Sequence, residues 1–378
     1  MTEILFWAAL ALAAYPYAGY PLLLAILPPR RRTAAADAAD LPALSVLVAA
    51  RNEQSKIAGR IEDLLSQDYP AERLEIVVVS DASTDGTDAI VGRFAGRGVR
   101  LVRASRRLGK AAAQNIAIPE TSGEILVFTD AASRFRPGTL RALVAPFADP
   151  SIGCVSTEDE VPGGGGERLY VRYEMALRRL EARFHSLIGV SGSGYAVRRA
   201  LAGPLPESLP NDFVTPLRAL AAGFRAVPAP GAVAVYGDSG GARVEFRRKV
   251  RTVIRGIATL FWARRFLDPF RNPRAAFLLM SHKLARWCVP FCLAILLVTS
   301  ARLAARGGGW RLLFILEAAL YGLGLAGLVA APLRRFPPIR LTYYLLLSNA
   351  SVATAWVRFL AGERAAVWEP TARPEVAP

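Results

Sequence analysis

Residues 44–50, LSVLVAA, and residues 74–80, LEIVVVS, are continuous apolar runs that are rich in β-branched side chains. Such runs are typical of parallel strands that are buried on both faces of a sheet. Residues 125–129 (ILVFT) form a third run, and residues 57–65 and 89–94 have helical spacing between the runs. This alternation of strand and helix predicts an α/β fold with a mostly parallel sheet.

Polar and acidic residues follow each of the three predicted strands, where a parallel sheet binds its ligands. Arg51, Asn52 and Glu53 follow the first strand, Asp81, Ser83, Asp85, Gly86 and Thr87 follow the second, and Asp130, Ala131, Ala132 and Ser133 follow the third. A single acid after a strand is commonly a helix cap, and Ser83 or Asp85 could be only that. Acids after three strands predict a site for a metal ion or a ribose hydroxyl. The chain has no GxxxxGK[ST] loop and no GxGxxG after a strand, which disfavours ATPase and dinucleotide-binding functions.

The composition excludes several classes of protein. The chain has 378 residues, of which 53% are hydrophobic, so it is neither a disordered tail nor a fibrous repeat. Its three cysteines cannot form the disulfide framework of a small secreted fold. The net charge of +16 would suit nucleic acid, but the sequence has no recognition module for it, so we expect no nucleic-acid partner. A positive mean hydropathy beside this charge predicts both lipid-facing and basic segments.

The first long apolar run, residues 4–27, has no charged residue and would cross a bilayer as a helix of about 36 Å. Arg30, Arg31 and Arg32 follow it directly, whereas only Glu3 is charged before it. A cleaved signal peptide has the opposite charge order, so an uncleaved anchor is favoured over cleavage near residues 34–36. The positive-inside bias then predicts an external N-terminus and a cytoplasmic location for the residues that follow.

Apolar runs at residues 287–301, 312–333 and 341–357 predict about three further membrane spans, with buried helices of a large soluble protein as the alternative. We therefore predict a multi-pass protein of the plasma (inner) membrane with its α/β domain in the cytoplasm. The predicted domains are an anchor and linker (1–40), the α/β domain (41–240), a basic amphipathic interfacial segment (241–284), the C-terminal transmembrane helices (285–362) and a tail (363–378).

Seven motifs, in order along the chain, resemble those of membrane-bound glycosyltransferase family 2 enzymes of the polysaccharide-synthase type. They are residues 49–53 (AARNE), 79–87 (VSDASTDGT), 109–115 (GKAAAQN), 128–131 (FTDA), 191–196 (SGSGYA), 211–217 (NDFVTPL) and 245–251 (EFRRKVR). The resemblance implies a GT-A fold, a Rossmann-like domain here inserted between transmembrane helices. It also implies inverting transfer of a hexose from a nucleotide-diphosphate sugar, with a UDP-sugar favoured, to a glycan or a lipid-linked acceptor.

The resemblance assigns the binding of the nucleotide sugar to Arg51, Glu53, Asp81, Asp85, Lys110 and Asp130. Glu53 and Asp81 would accept hydrogen bonds from the base or the ribose, although carboxylates in such loops also cap backbone amides. Lys110 would meet a phosphate as a compact charge, or else be the solvated start of a helix.

A divalent cation is implied at Asp130, which matches the first acid of the family's Asp-x-Asp element. That element holds Mg²⁺ or Mn²⁺ on the diphosphate. Ala132 replaces the second acid, which weakens the assignment without removing it, because Mg²⁺ often has few direct protein ligands. Ser133, or one of Glu158, Asp159 and Glu160, could compensate, and the sequence does not choose among them.

The resemblance makes Asp212 the general base, at the start of a predicted helix, and a simple helix cap by Asn211 or Asp212 is the alternative. Ser191, Gly192, Ser193 and Gly194 resemble the acceptor-side turn of the family, where missing side chains let a sugar approach.

Arg248 and Arg251 match the family's (Q/R)xxR element, which reaches the diphosphate and the acceptor. With Arg255 they also form one basic helix face, which could instead lie on anionic lipid headgroups. Thr252 stands where the family usually has a tryptophan, so a processive synthase is less favoured. Residues 256–277 have the aromatic, arginine-rich pattern of an interfacial amphipathic segment.

A second function is compatible with the same residues. Because Ala132 and Thr252 depart from the family pattern, the chain could be a catalytically inert membrane protein that senses a sugar nucleotide. About four spans are few for a pore that threads a polymer, so single additions to a lipid-linked acceptor fit the sequence. A membrane partner subunit could also supply further helices.

Overall fold

The structure, a computed structural model, describes residues 1–30, 40–162, 166–237 and 241–364. These residues form two compact units. The sheet unit comprises the described residues between 28 and 240 together with residues 255–263, and the helical unit comprises residues 1–27, 241–254 and 264–363. Several predicted features fall outside the described residues. They are Arg31 and Arg32, the alternative cleavage region 34–36, and residues 365–378 of the predicted tail.

One mixed sheet of eight strands forms the centre of the sheet unit as far as the structure describes it. The strands are β1 (Leu44–Ala50), β2 (Leu74–Ser80), β3 (Val99–Arg103), β4 (Ile125–Asp130), β5 (Ser133–Phe135), β6 (Ile152–Glu160), β7 (Gly194–Arg198) and β8 (Arg225–Tyr236). Their spatial order is β3-β2-β1-β4-β7-β6-β8-β5. The first four in that order are parallel, β7 is antiparallel to β4 and β6, and β8 is parallel to β6 and antiparallel to β5. The predicted α/β fold is confirmed, with the three predicted strands adjacent to one another.

The α-helices in the described residues are α1 (Thr2–Ala14), α2 (Tyr20–Ile26), α3 (Ile57–Leu65), α4 (Thr87–Gly92), α5 (Lys110–Ala117), α6 (Thr139–Val144), α7 (Gly166–Phe184), α8 (Arg199–Ala202), α9 (Asn211–Ala221), α10 (Ala242–Trp262), α11 (Pro273–Leu279), α12 (Ala285–Ala304), α13 (Gly308–Val329) and α14 (Pro337–Leu360). The helices predicted at residues 57–65 and 89–94 correspond to α3 and α4. The second of them begins earlier than predicted, at Thr87.

The central strands are buried on both faces, which explains their uninterrupted apolar sequences. Every residue of β1 is buried, and alternate residues of β1 belong to two different hydrophobic clusters. Ala49 of β1 is paired with Val79 of β2 and with Asp130 of β4. Because of this register, the three strands end side by side, and the loops that follow them lie at one edge of the sheet.

Three helices of the described chain are long and apolar enough to cross a membrane: Thr2–Ile26, Pro273–Ala304 and Gly308–Val329. The first and second each contain a π-helical turn, and the hydroxyls of Tyr15 and Ser281 in these turns are hydrogen-bonded at 2.7 Å. Glu3, at the start of α1, pairs with Arg306 after α12. These contacts hold the first two apolar helices together.

The predicted span at residues 341–357 lies within α14, which is not one of these three apolar helices. Its polar residues Thr342, Asn349 and Ser351 are buried, and they lower the hydropathy of the helix. The fourth span therefore stays a prediction.

Candidate active site

The loops after β1 and β2 are tied to each other by hydrogen bonds. Arg51 Nη1 donates to the backbone carbonyls of Asp81 (2.5 Å) and Ala82 (3.1 Å). Asn52 Oδ1 accepts a bond from the backbone amide of Thr84 at 2.9 Å. Asn52 and Ala82 have φ values of 53° and 50°, a conformation that residues other than glycine seldom adopt and that clusters at functional sites. The side chain predicted to bind nucleotide, Arg51, thus also fixes the shape of both loops.

Asp81 holds the start of α5. It is buried, and its two carboxylate oxygens accept bonds from the backbone amides of Leu108 (2.7 Å) and Gly109 (3.0 Å). Gly109 has a φ of 94°, which favours glycine, and the next residue, Lys110, begins the helix. With these bonds Asp81 caps backbone amides, which was the alternative to a nucleotide-binding role. A carboxylate oxygen can accept a second bond, so a base or ribose donor is also compatible with Asp81.

Asp85 is likewise bonded within the loops. Its Oδ1 accepts from the amide (3.1 Å) and the hydroxyl (2.6 Å) of Thr87, and its Oδ2 accepts from the amide of Gln54 (3.1 Å). Burial would raise the pKa of Asp85, but these hydrogen bonds lower it below its usual value. Asp85 therefore joins the two loops as a carboxylate.

Glu53 is buried, with 5% of its surface exposed. Lys56 Nζ donates to its Oε2 at 3.1 Å. Burial raises the pKa of Glu53 above its usual value, Lys56 lowers it, and the nearby carboxylates of Asp130 and Asp85 raise it. Glu53 and Asp130, which follow neighbouring strands, are thus close enough to interact electrostatically.

Asp130, at the end of β4, is bonded to Lys110. Lys110 Nζ donates to Asp130 Oδ1, with 34% of the Asp130 side chain exposed. Behind this pair lies Arg60, a fully buried cation whose Nη2 donates to Thr129 Oγ1 at 2.8 Å and whose Nη1 pairs with Asp63. Burial lowers the pKa of Arg60 to about 10. Sequence reasoning missed Arg60, although its position on the apolar face of α3 indicates burial.

The predicted acceptor-side turn lies against Asp212, in the first turn of α9. The amide of Val190, just before the turn, donates to the Asp212 carbonyl at 2.8 Å. Gly192 faces the Asp212 carboxylate. Within the turn, the Ser193 carbonyl accepts from Thr129 Oγ1 at 2.7 Å. The turn is therefore bonded both to the start of α9 and to the end of β4.

Tyr195, on β7, is a buried residue that interacts electrostatically with Asp130 and Asp212. Burial raises its pKa well above the usual value, and the carboxylates of Asp212 and Asp130 both raise it further. Its ring stacks on Phe128 of β4 with centroids 5.1 Å apart. Asp130 directly follows Thr129, which bonds the turn that faces Asp212, and Asp130 in turn contacts the Lys110 that Asp81 helps to position.

The residues at the carboxyl edge of the sheet fit a divalent cation that has one carboxylate ligand from the protein. The described residues contain no group of three His, Cys, Asp or Glu side chains that could hold a metal ion. Each acid proposed to compensate for Ala132 has a partner, since Glu158 pairs with Arg179, Glu160 with Arg136, and Asp159 accepts from Ser191. Ser133 donates to the carbonyls of Asp130 and Ser193. Asp130 is also paired, with Lys110, but it lies at the carboxyl edge of the sheet beside the donor loops and stays the candidate ligand. Mg²⁺ commonly binds through one or two carboxylates plus substrate phosphates, which such a site allows.

Arg248 and Arg251 lie on α10, in the part that belongs to the helical unit. Arg248 donates two hydrogen bonds to Glu245, at 2.9 and 2.8 Å. The neighbouring Lys249 donates to Ser348 of α14 at 2.6 Å. The roles predicted for both arginines stay predictions.

Exposed aromatic side chains occur where an interfacial segment is predicted. Phe261 is 61% exposed, Trp262 43% and Phe270 94%. Asp268 Oδ1 accepts from the amides of Phe270 (2.9 Å) and Arg271 (3.2 Å), which fixes the turn that presents the phenylalanine. This arrangement is compatible with a membrane interface.

Comparison with known proteins identifies related sequences for the sheet unit. The family described as Glycosyl transferase family 2 matches residues 45–201. A beta-monoglucosyldiacylglycerol synthase of Synechocystis sp. is 30% identical over 164 residues, which are 42% of this chain and 34% of that protein. Glycosyltransferase AglE of Haloferax volcanii is 30% identical over 129 residues, or 33% of this chain and 42% of that protein. The chain spans about a third of the length of the synthases it matches.

One solved structure is similar over nearly the whole chain. It is the mannosyltransferase PcManGT from Pyrobaculum calidifontis in complex with GDP-Man and Mn²⁺. The TM-score is 0.71 and the identity 27%, with 96% of this chain and 100% of that chain covered.

Proposed function

We propose that the chain is a membrane-embedded, inverting glycosyltransferase, because residues 45–201 match glycosyl transferase family 2 and the chain is similar to a solved mannosyltransferase with a TM-score of 0.71. It would transfer a hexose from a nucleotide-diphosphate sugar to a lipid-linked acceptor or a glycan. The observation that carries this proposal is that Lys110 bonds to Asp130 at the end of β4, and that the preceding residue, Thr129, bonds the turn that lies against Asp212. A cation for the diphosphate, a metal-binding acid and a base are the groups that the reaction needs.

The donor would bind along the loops after β1 and β2. Glu53 and Asp81 would accept hydrogen bonds from the base or the ribose, while Arg51 and Asp85 keep the two loops in register. Lys110 would neutralise the diphosphate. Asp130 would hold Mg²⁺ or Mn²⁺, which neutralises the charge that develops on the leaving diphosphate. The Mn²⁺ and GDP-Man of the similar mannosyltransferase support a nucleotide-sugar donor with a divalent cation.

Asp212 would act on the acceptor. As the acceptor oxygen bonds to the anomeric carbon of the sugar, its proton passes to the Asp212 carboxylate. The bond from that carbon to the diphosphate breaks, and its electron pair leaves with the nucleoside diphosphate. Attack opposite the leaving group inverts the anomeric configuration. The turn Ser191–Gly194, which lies against Asp212, would border the acceptor, with Arg248 and Arg251 as the further cations of the site.

A lipid acceptor and an inner-membrane location are part of the proposal. Three apolar helices of membrane-spanning length and the arginines after the first of them support an embedded protein with a cytoplasmic catalytic domain. The matched synthases are named for a glycosylated diacylglycerol, which supports a lipid acceptor. A partner subunit would be needed only if the product were a polymer that has to be threaded across the bilayer.

The test is a screen of radiolabelled UDP- and GDP-sugars with membranes that contain the full chain, with products separated into lipid-soluble and polymeric fractions. We expect label in the lipid-soluble fraction and release of nucleoside diphosphate from one donor. Membranes that contain Asp212→Asn are the matched control. Tight binding of a nucleotide sugar without release would overturn the enzyme proposal in favour of a sensor, the candidate that Ala132 and Thr252 support.

A further inference from the structure

The Lys110–Asp130 pair joins the residue proposed to bind diphosphate to the residue proposed to bind metal. Lys110 Nζ donates to Asp130 Oδ1, and the two side chains are 17% and 34% exposed. The start of the lysine's helix is fixed, because Asp81 bonds the amides of Leu108 and Gly109. The ammonium therefore reaches Asp130 from an ordered backbone, on a flexible stem of four carbons.

A cation that binds Asp130 has to compete with this ammonium. Ala132 supplies no second carboxylate, and the described residues contain no cluster of three metal-binding side chains. The buried Arg60 adds a second positive charge that interacts with Asp130. With one carboxylate already paired and a fixed cation behind it, a divalent ion alone gains little from the site.

We propose that Lys110 makes divalent-cation binding at Asp130 conditional on a nucleoside diphosphate. The diphosphate offers anionic oxygens to both cations, so Lys110 moves from Asp130 to a phosphate and leaves the carboxylate to the metal ion. Lys110 is then a specificity-determining residue that selects the metal–diphosphate pair over the free metal. This inference rests on the proposed function, because it assumes that the donor is a nucleoside diphosphate ester.

The test measures Mn²⁺ binding to the purified full-length protein by the loss of the electron paramagnetic resonance signal of free Mn²⁺. We expect Lys110→Met to bind Mn²⁺ alone at least ten times more tightly than the wild type. Addition of UDP or GDP should strengthen binding to the wild type by a much larger factor than binding to Lys110→Met. Lys110→Arg, which keeps the charge, should retain the wild-type behaviour.

Two further variants locate the effect. Asp130→Asn should abolish Mn²⁺ binding with and without diphosphate. Arg97→Met removes an exposed ion pair outside the site, Arg97 with Glu62 at 2.7 Å, and should leave the Mn²⁺ affinity unchanged. Thermal unfolding of each variant checks that the fold is kept.

Equal Mn²⁺ affinity of the wild type and Lys110→Met in the absence of nucleotide would overturn the inference. So would an identical gain from diphosphate in both proteins. Because the signal reports binding and not transfer, a protein that shows the expected binding but transfers no sugar would contradict the proposed function alone.

Discussion

A Cβ atom on Gly192 would lie 3.1 Å from Oδ2 of Asp212. This distance is shorter than an ordinary carbon–oxygen contact, so the absence of a side chain at Gly192 gives the carboxylate its position. The turn itself is held by Thr129 and Ser133, whose hydroxyls donate to the Ser193 carbonyl at 2.7 and 3.1 Å. A side chain at Gly192 would therefore push the Asp212 carboxylate away by a few tenths of an ångström.

Gly192→Ala should therefore lower kcat by roughly 3- to 10-fold, since it displaces the carboxylate by a few tenths of an ångström and a displacement of about 1 Å can cost about 100-fold. Nucleotide binding should be retained, because the donor loops follow β1 and β2, whereas Gly192 lies in the turn before β7. Initial rates at saturating donor, together with nucleotide titration, check both points. Gly92→Ala is the matched control, because nothing lies within 4 Å of a Cβ atom added at Gly92 and this residue is part of helix α4. Equal rates for the two variants would contradict the positioning of Asp212 by this glycine.

Asp212→Asn should lower the transfer rate by about 10²- to 10⁴-fold, because general-base catalysis contributes about that much and an amide cannot take the proton. Binding of the nucleotide sugar should change little. Single-turnover kinetics and nucleotide titration on the same preparation separate the two effects. Full turnover by Asp212→Asn would remove this residue from the mechanism.

The three adjacent strands β1, β2 and β4 were predictable from sequence, and the other five described strands were not predicted. β1, β2 and β4 are buried on both faces along most of their length, so each contains a run of consecutive apolar residues, at positions 46–50, 76–79 and 125–128. β8 contains Pro228, Pro230 and Gly231, residues that are unfavourable in strands, and its register with β6 is irregular. Its strand pairing is decided by the tertiary fold.

The candidate site shows the same division. The acids after the three strands could be predicted, because parallel strands end at one edge of a sheet. The bond between Lys110 and Asp130 could not, since it depends on how α5 packs and on the Asp81 bonds that fix its start. Arg60 was missed because a charged residue interrupts the pattern of hydrophobic residues that predicts a buried helix face. Its burial is explained by its partners Asp63 and Thr129, which only the structure identifies.

Arg60→Met should destabilise the sheet unit by roughly 3–5 kcal/mol, because it leaves Asp63 without its buried cation. The guanidinium also lies 4.1 Å from the centroid of the Phe135 ring, so packing is lost as well. A loss of this size corresponds to a fall in Tm of roughly 10 °C. Arg97→Met, which breaks the exposed pair with Glu62, should cost less than about 1 kcal/mol. Thermal unfolding of the purified protein compares the two, and similar Tm values would contradict the prediction.

Glu53→Gln should raise Tm near pH 7, with a gain that disappears as the pH is lowered below about 4.5. Burial raises the pKa of Glu53 in the folded protein, so its contribution to stability is full below the pKa of the unfolded chain and is lost as the pH rises through the folded pKa. Glutamine has no charge to bury, and it avoids that loss at neutral pH.

Glu160→Gln is the control of opposite sign. The hydrogen bonds from Arg136 lower the pKa of Glu160, so its stabilisation is present above the unfolded pKa and is lost as the pH falls through the folded one. This variant should lower Tm at pH 7 and approach the wild type in acid. Thermal unfolding between pH 4 and pH 8 measures both curves. Parallel curves for the two variants would show that the charge of Glu53 carries no burial cost, and the raised pKa assigned to it would be wrong.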